Sequence, residues 1–378
     1  MIPTVHDASG VLIELGVIVV GLAVLSRIAS RWNFSAIPFY LLAGLAFGNG
    51  GLSPLPMSGE FVHIGADIGV LLLLFMLGLA YTGEELKENL HTGIPAGLAD
   101  LLLNFPPGLI AGLLMGWGPL AAVLLGGVTY ISSSGVAAKV LTDLRRLDHA
   151  ETPTVLSILV LEDLAMAVYL PVVAVLLMGG EPRRMVLSVL VAVAAVSVVL
   201  LVAVRYGERL SHLVAHESDE IILLTVFGAV LLVAGISERL HVSAAIGAFL
   251  VGIAASGPIA EQSYRLLTPL RDLFAATFFF FFGLEINPTA LAHVLLPALM
   301  LAGVTALTKI ATGYWAARRA GADHRGRLRA GMALVARAEF SIVIAGLGAT
   351  LEPRIGPLSA AYVLLLAVVG PILVRAAK

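Results

Sequence analysis

The 378-residue chain contains no cysteine, which excludes disulfides and thiolate metal sites and leaves the compartment unread from that quarter. Charge is scarce too. Asp, Glu, Lys and Arg make up 13% of the residues, where a soluble globular domain carries about a quarter. The net charge of −2 offers nucleic acid no basic surface. No phosphate loop or dinucleotide fingerprint occurs, and the histidines fall mostly in loops without metal-ligand spacing. The N-terminus lacks the basic start and small-residue cleavage site of a secretory leader, so its first apolar run, Val11 to Ala29, is expected to be a retained helix.

Apolar residues are what the chain has in abundance, at 59%. Runs such as Val186 to Val204 and Leu358 to Val374 are long enough, at about 1.5 Å per residue, to cross roughly 30 Å of hydrocarbon. They are continuously apolar, whereas the strands of a membrane barrel alternate, so helices must satisfy the backbone. The expected fold is an all-α polytopic membrane protein with thirteen helices, at roughly 11–29, 36–51, 61–81, 92–115, 120–144, 152–178, 185–205, 219–238, 242–257, 267–286, 290–318, 327–350 and 358–375. Gly, Pro and charge clusters such as Gly179-Gly180-Glu181-Pro182 separate them.

Of the 23 basic residues, Lys309 and Arg337 fall inside helices; of the other 21, 17 collect on one side of the membrane and 4 on the other. The positive-inside rule then predicts an outside N-terminus and a cytoplasmic C-terminus. An internal repeat is also legible. Phe75-Met76-Leu77-Gly78-Leu79 returns as Phe280-Phe281-Phe282-Gly283-Leu284, 205 residues later, and the same offset carries Ser132 onto Arg337. An odd number of helices separates equivalent ones, so the repeats insert with opposite topology, the plan of secondary transporters. Gly44, Gly48, Gly78 and Gly252 are expected to be packing glycines at close helix contacts.

Charge inside such helices is expensive and marks function by default. Glu162 and Asp163 stand side by side near the middle of the sixth expected helix, and helical neighbours point about 100° apart, so both carboxylates are expected among the ion- and proton-binding residues, in different roles. Thr129-Tyr130-Ile131-Ser132-Ser133-Ser134-Gly135 interrupts the fifth helix with hydroxyls and glycine. Such a segment can unwind and offer Thr129, Ser132, Ser133 and Ser134 to a desolvated cation. At the equivalent place in the twelfth helix, Arg337 and Glu339 can neutralise the partial charges of broken helix ends. Lys309 lies near the middle of the eleventh helix. Counting Glu162, Asp163 and Glu339 against Lys309 and Arg337 leaves one negative charge. One proton or one monovalent cation, K+ or Na+ at Asp163, would neutralise it, and competition for one site is the simplest chemistry of exchange. Asp67, Asp100 and Asn104 lack neighbouring polar runs, and Asp272 and Glu285 sit near helix ends, so both groups are expected to matter less. A channel would need a continuous filter, an organic-anion symporter could use a similar fold, and a sensor without transport would have no use for charge at the midplane.

At Ile131-Ser132-Ser133-Ser134, Leu161-Glu162-Asp163-Leu164-Ala165, Pro269-Leu270-Arg271-Asp272 and Arg337-Ala338-Glu339-Phe340-Ser341, the chain resembles the cation:proton antiporter-2 superfamily. Within it, it is most similar to Kht-type potassium/proton antiporter membrane subunits, with Kef-type members also alike. The resemblance implies potassium/proton exchange without a cofactor, sodium being the alternative cation, by elevator-like alternating access with Asp163 as the ion- and proton-binding aspartate. Crossed, discontinuous helices would be supported by Arg337, Glu339 and Lys309. It also implies a homodimer in the bacterial cytoplasmic membrane, in contact with the lipid bilayer. The dimerisation domain would comprise 1–90 and 211–288, the ion-binding core 91–180 and 289–378, and a linker helix 181–210. The chain ends at Lys378, soon after its last helix, and a separate cytoplasmic regulatory subunit of the RCK type is therefore expected.

Overall fold

The structure, a computed structural model, describes residues 8–32, 35–48, 59–79, 83–146, 148–178, 190, 194, 216–239, 244–255 and 258–377. Among them are fourteen α-helices and no strand: α1 (Ala8–Arg31), α2 (Ile37–Phe47), α3 (Gly59–Leu79), α4 (Gly83–Leu114), α5 (Pro119–Tyr130), α6 (Ser134–Asp143), α7 (Thr152–Met178), α8 (Asp219–Arg239), α9 (Ala244–Ala254), α10 (Pro258–Glu285), α11 (Pro288–Arg319), α12 (His324–Ala333), α13 (Glu339–Leu347) and α14 (Ile355–Ala376). The expected helix at 185–205 falls almost wholly outside the described residues. Six of the helices are long and apolar enough to cross a membrane by themselves. Their outward faces carry exposed Leu102, Leu114, Leu296 and Leu307, the surface that hydrocarbon covers.

Two expected helices are each split. The fifth becomes α5 and α6 around an extended Ile131–Ser133, and the twelfth becomes α12 and α13 around 334–338. The Ser133 amide donates to the Ala336 carbonyl at 2.9 Å, so the two breaks lie against each other. Local sequence sets the ends. Pro119 opens α5 where a missing N–H costs nothing. The Asp323 side chain caps α12 by accepting from the Gly326 amide at 2.8 Å.

The repeat is visible in the packing. A Cβ on Gly44 would stand 2.1 Å from the Phe280 carbonyl oxygen and 2.7 Å from Gly283 Cα; one on Gly252 would stand 2.2 Å from the Phe75 carbonyl oxygen and 2.8 Å from Gly78 Cα. Phe75 and Phe280, like Gly78 and Gly283, are 205 residues apart. The contact of α2 with α10 therefore repeats that of α9 with α3, and glycine is required at both because backbone meets backbone. Helices α2, α3, α8, α9 and α10 pack with one another, while α4, α5, α7, α11, α12, α13 and α14 pack around the crossed breaks.

Candidate functional site

The breaks free polar groups in an apolar surrounding, and buried side chains take them up. Arg337 is fully buried. Its Nη1 donates to the carbonyls of Leu334 (2.8 Å), Val335 (3.1 Å) and Ala336 (3.2 Å), and its Nη2 to that of Thr129 (3.1 Å). These are carbonyls at the C-terminal ends of α12 and α5, where partial negative charge gathers. The remaining Nη1 contact is to Ser132 Oγ, its repeat equivalent, at 3.4 Å.

The neighbouring acids of α7 do diverge. Glu162 accepts at one carboxylate oxygen from the Ser132 amide and at the other from Ser132 Oγ (3.0 Å) and Lys309 Nζ (2.7 Å). Asp163 accepts from Ser134 Oγ at 3.0 Å through Oδ2, while its buried Oδ1 has no partner among the described residues. Ser134 opens α6, whose N-terminal partial charge favours an anion beside it.

Lys309 is shared. Besides Glu162, its Nζ reaches Asp100 Oδ1 at 2.8 Å and Oδ2 at 2.7 Å, and all three side chains are completely buried. Asn104 donates to Asp100 Oδ1 (2.9 Å) and Thr312 Oγ1 (3.2 Å) and accepts from Thr308 Oγ1 (2.7 Å). Asp100 therefore belongs to the centre, contrary to the weight its sequence context gives it. The charge count changes accordingly, to Asp100, Glu162, Asp163 and Glu339 against Lys309 and Arg337. A signal was available: Asp100 and Asn104 are four residues apart on one face of α4, and the 205-residue offset carries Asn104 onto Lys309.

The other expected residues are placed as follows. Thr129 Oγ1 donates to the carbonyls of Asn104 (3.0 Å) and Gly126 (3.1 Å), so its hydroxyl is occupied by α4 and α5 and touches neither acid. Ser133 Oγ donates to Glu339 Oε2 at 3.3 Å and accepts from the Val136 amide at 3.3 Å. Glu339 is the first residue of α13, and Arg337 does not reach it. Among the described residues no group of three or more His, Cys, Asp or Glu forms a multidentate metal site. What the arrangement holds is one carboxylate, Asp163, bonded to Ser134 through one oxygen and open at the other among the described residues, next to a second carboxylate fixed by lysine. Chemically it can take one proton or one partly desolvated monovalent cation.

The family model described as "Sodium/hydrogen exchanger, transmembrane" matches residues 17–377. The K(+)/H(+) antiporter subunit KhtU of Bacillus subtilis is 37% identical over 97% of this chain and 93% of its own length. The Na(+)/H(+)-K(+) antiporter GerN of Bacillus cereus is 27% identical over 82% of this chain and 80% of its own. The sodium proton antiporter MjNhaP1 of Methanocaldococcus jannaschii shares the fold, with a TM-score of 0.71 at 16% identity over 98% of this chain and 99% of that one. The helix pattern, the crossed breaks and these similarities agree, and the chain belongs to the sodium/hydrogen exchanger family of membrane transporters, as a monovalent cation/proton antiporter and not an enzyme.

Proposed function

We propose that the transported cation is potassium and that potassium and protons compete for Asp163. The observation that carries the competition is the buried Asp163 Oδ1, without a partner among the described residues, in a centre where Ser134 holds the other Asp163 oxygen and Glu162 and Asp100 are already taken by Lys309. A proton on that oxygen or a cation against it leaves the same net charge. The name of the 37%-identical relative favours potassium. Sodium is the second reading, supported by the name of the relative from Bacillus cereus. Proton flux in proteoliposomes, with potassium, sodium, lithium and rubidium added in turn, decides between them: potassium-driven flux well above the sodium-driven flux is expected, and the reverse order overturns the assignment.

The cellular role in this reading is potassium efflux and pH homeostasis from the bacterial cytoplasmic membrane, with the N-terminus outside and the strongly basic face inside. Asp163 would gain alternating access as the helices around the crossing, 91–180 and 289–378, move as a core against a dimerisation domain formed by 1–90 and 211–288. Ser132, Ser133 and Ser134 would line the ion's place, and Arg337, Lys309 and Glu162 would hold the crossing rigid. A homodimer and a separate cytoplasmic regulator complete the proposal. The word "subunit" in the name of the Bacillus subtilis relative supports a partner, and the basic segment Arg318 to Arg329 offers it a charged surface. Because the chain has no cysteine, engineered cysteine pairs between α10 and α13 test the motion cleanly. Cross-links that leave flux intact would contradict a moving core.

A further inference from the structure

We infer that Glu339 is a second cation-contact carboxylate of the exchange, met before Asp163 by a cation entering from the strongly basic face, and that Arg271 competes with the cation for it. The inference rests on Asp163 as the exchange site and adds the route to it.

A cavity of about 480 Å³ separates α10 from the crossed breaks. Arg271 and Asp272 line it from α10, Ser26 and Ser30 from α1, and Ser133 and Glu339 from the crossing. Ser26 and Ser30 each precede an arginine, Arg27 and Arg31, at the end of α1, so the cavity lies toward the basic face. Asp163 does not line it.

The link between cavity and exchange site is the pair of consecutive serines in the first break. Ser133 Oγ holds Glu339 Oε2 at 3.3 Å and Ser134 Oγ holds Asp163 Oδ2 at 3.0 Å. Successive Cα atoms are about 3.8 Å apart, so a cation passed from one hydroxyl to the next moves a single residue along the chain. The 205-residue offset carries Ser134 onto Glu339. The helix that follows each break thus begins at an equivalent position, with a carboxylate beside it in both cases.

Glu339 has the properties of a transit group. It is half-buried, and no ion pair to it occurs among the described residues. The nearest arginine in sequence, Arg337, spends its guanidinium on carbonyls. A carboxylate that lines a cavity without a fixed counter-ion among the described residues attracts a mobile one. Among the described residues Arg271 is the basic side chain that lines the cavity, and it is bonded to Asp272 at 2.7 and 3.0 Å. Its charge is permanent, so it raises the cost of a second cation in the cavity, and Asp272 moderates that effect.

A bland role, in which Glu339 merely complements the N-terminus of α13, would affect folding or both directions of transport alike. Sidedness separates the two. In oriented proteoliposomes containing the intact chain, the apparent KM for potassium is measured from the basic face and from the opposite face. Glu339→Gln should raise the basic-face KM roughly tenfold and leave the opposite-face KM nearly unchanged. Arg271→Gln should lower the basic-face KM, and Glu339→Asp, which keeps the charge, should restore most of the affinity. Equal shifts on both faces, or an Arg271→Gln shift in the direction of Glu339→Gln, would overturn the inference. If Glu339→Gln does not fold, an Arg271→Gln protein with an unaltered basic-face KM overturns it as well. Absence of potassium-driven proton flux in the wild type is a different failure, that of the exchange reading itself.

Discussion

Lys309→Met is the sharpest perturbation of the centre's electrostatics. The wild-type ammonium makes contacts of 2.7 and 2.8 Å to Asp100 and 2.7 Å to Glu162, all three side chains being out of contact with solvent. Removing one partner of a buried ion pair costs about 3–5 kcal/mol, because the charge left behind is uncompensated. Here two carboxylates are left, facing each other across the space of the lost ammonium. Asp100→Asn is milder, since Lys309 keeps Glu162 and only charge-assisted hydrogen bonds are lost, about 1.5–3 kcal/mol. The double variant removes one of the two stranded charges and should be more stable than Lys309→Met alone, which requires a coupling larger than the Asp100→Asn loss, about 2–3 kcal/mol at the upper end of what neighbouring residues show. Thermal unfolding of the purified protein in one detergent reads the order: wild type, Asp100→Asn, double variant, Lys309→Met, from highest to lowest Tm. A Lys309→Met protein as stable as the wild type, or a double variant at the sum of the two losses, would refute the shared-lysine reasoning.

Gly44→Ala should lower the Tm markedly, by at least the 1–3 kcal/mol typical of overpacking, because the added methyl meets the Phe280 carbonyl and Gly283; Gly228→Ala, where a Cβ meets nothing within 4 Å, should be neutral in the same melt. At the membrane-proximal loop before α7, burial works against charge on Glu151, but the hydrogen bond from Arg329 at 2.6 Å, helped by the backbone and His149, holds its carboxyl below the ordinary range. A depressed folded-state value means stabilisation that is complete above the unfolded value of about 4.3 and lost as pH falls through the folded value. The Tm gap between wild type and Glu151→Gln should accordingly be open at neutral pH and close in acid, and a gap independent of pH would argue against the pairing.

Much of the architecture is legible because membrane helices obey one strong constraint, that every backbone group be satisfied inside lipid. Where the sequence puts hydroxyls and glycine into an apolar run, as at Thr129 to Gly135, the helix breaks; where Arg337 and Glu339 occupy the equivalent place, it breaks again. The 205-residue offset even pairs residues that pack against each other, such as Ser132 with Arg337. Partner choice is harder to read. Thr129 lies in the polar run, yet helix rotation turns its hydroxyl to α4. Asp100 looks isolated along α4, and only the approach of α11 surrounds it with Lys309, while Asn104 meets Thr308 and Thr312. Sequence distance shows what a helix carries, whereas the face that meets its neighbour is settled by packing across more than two hundred residues. Glu339 is similar: two residues from Arg337, it is held by Ser133 from the other repeat.

Cation-driven proton movement by Asp163→Asn tests the exchange site most directly. The amide matches the protonated acid in shape and charge and keeps a hydrogen-bonding oxygen for Ser134, so the protein should fold and purify like the wild type. In proteoliposomes with an imposed pH difference, potassium pulses that release protons from wild-type vesicles should release none from the variant, at any potassium concentration and at every pH tried. Proton release at the wild-type rate from a folded Asp163→Asn protein would contradict exchange at Asp163.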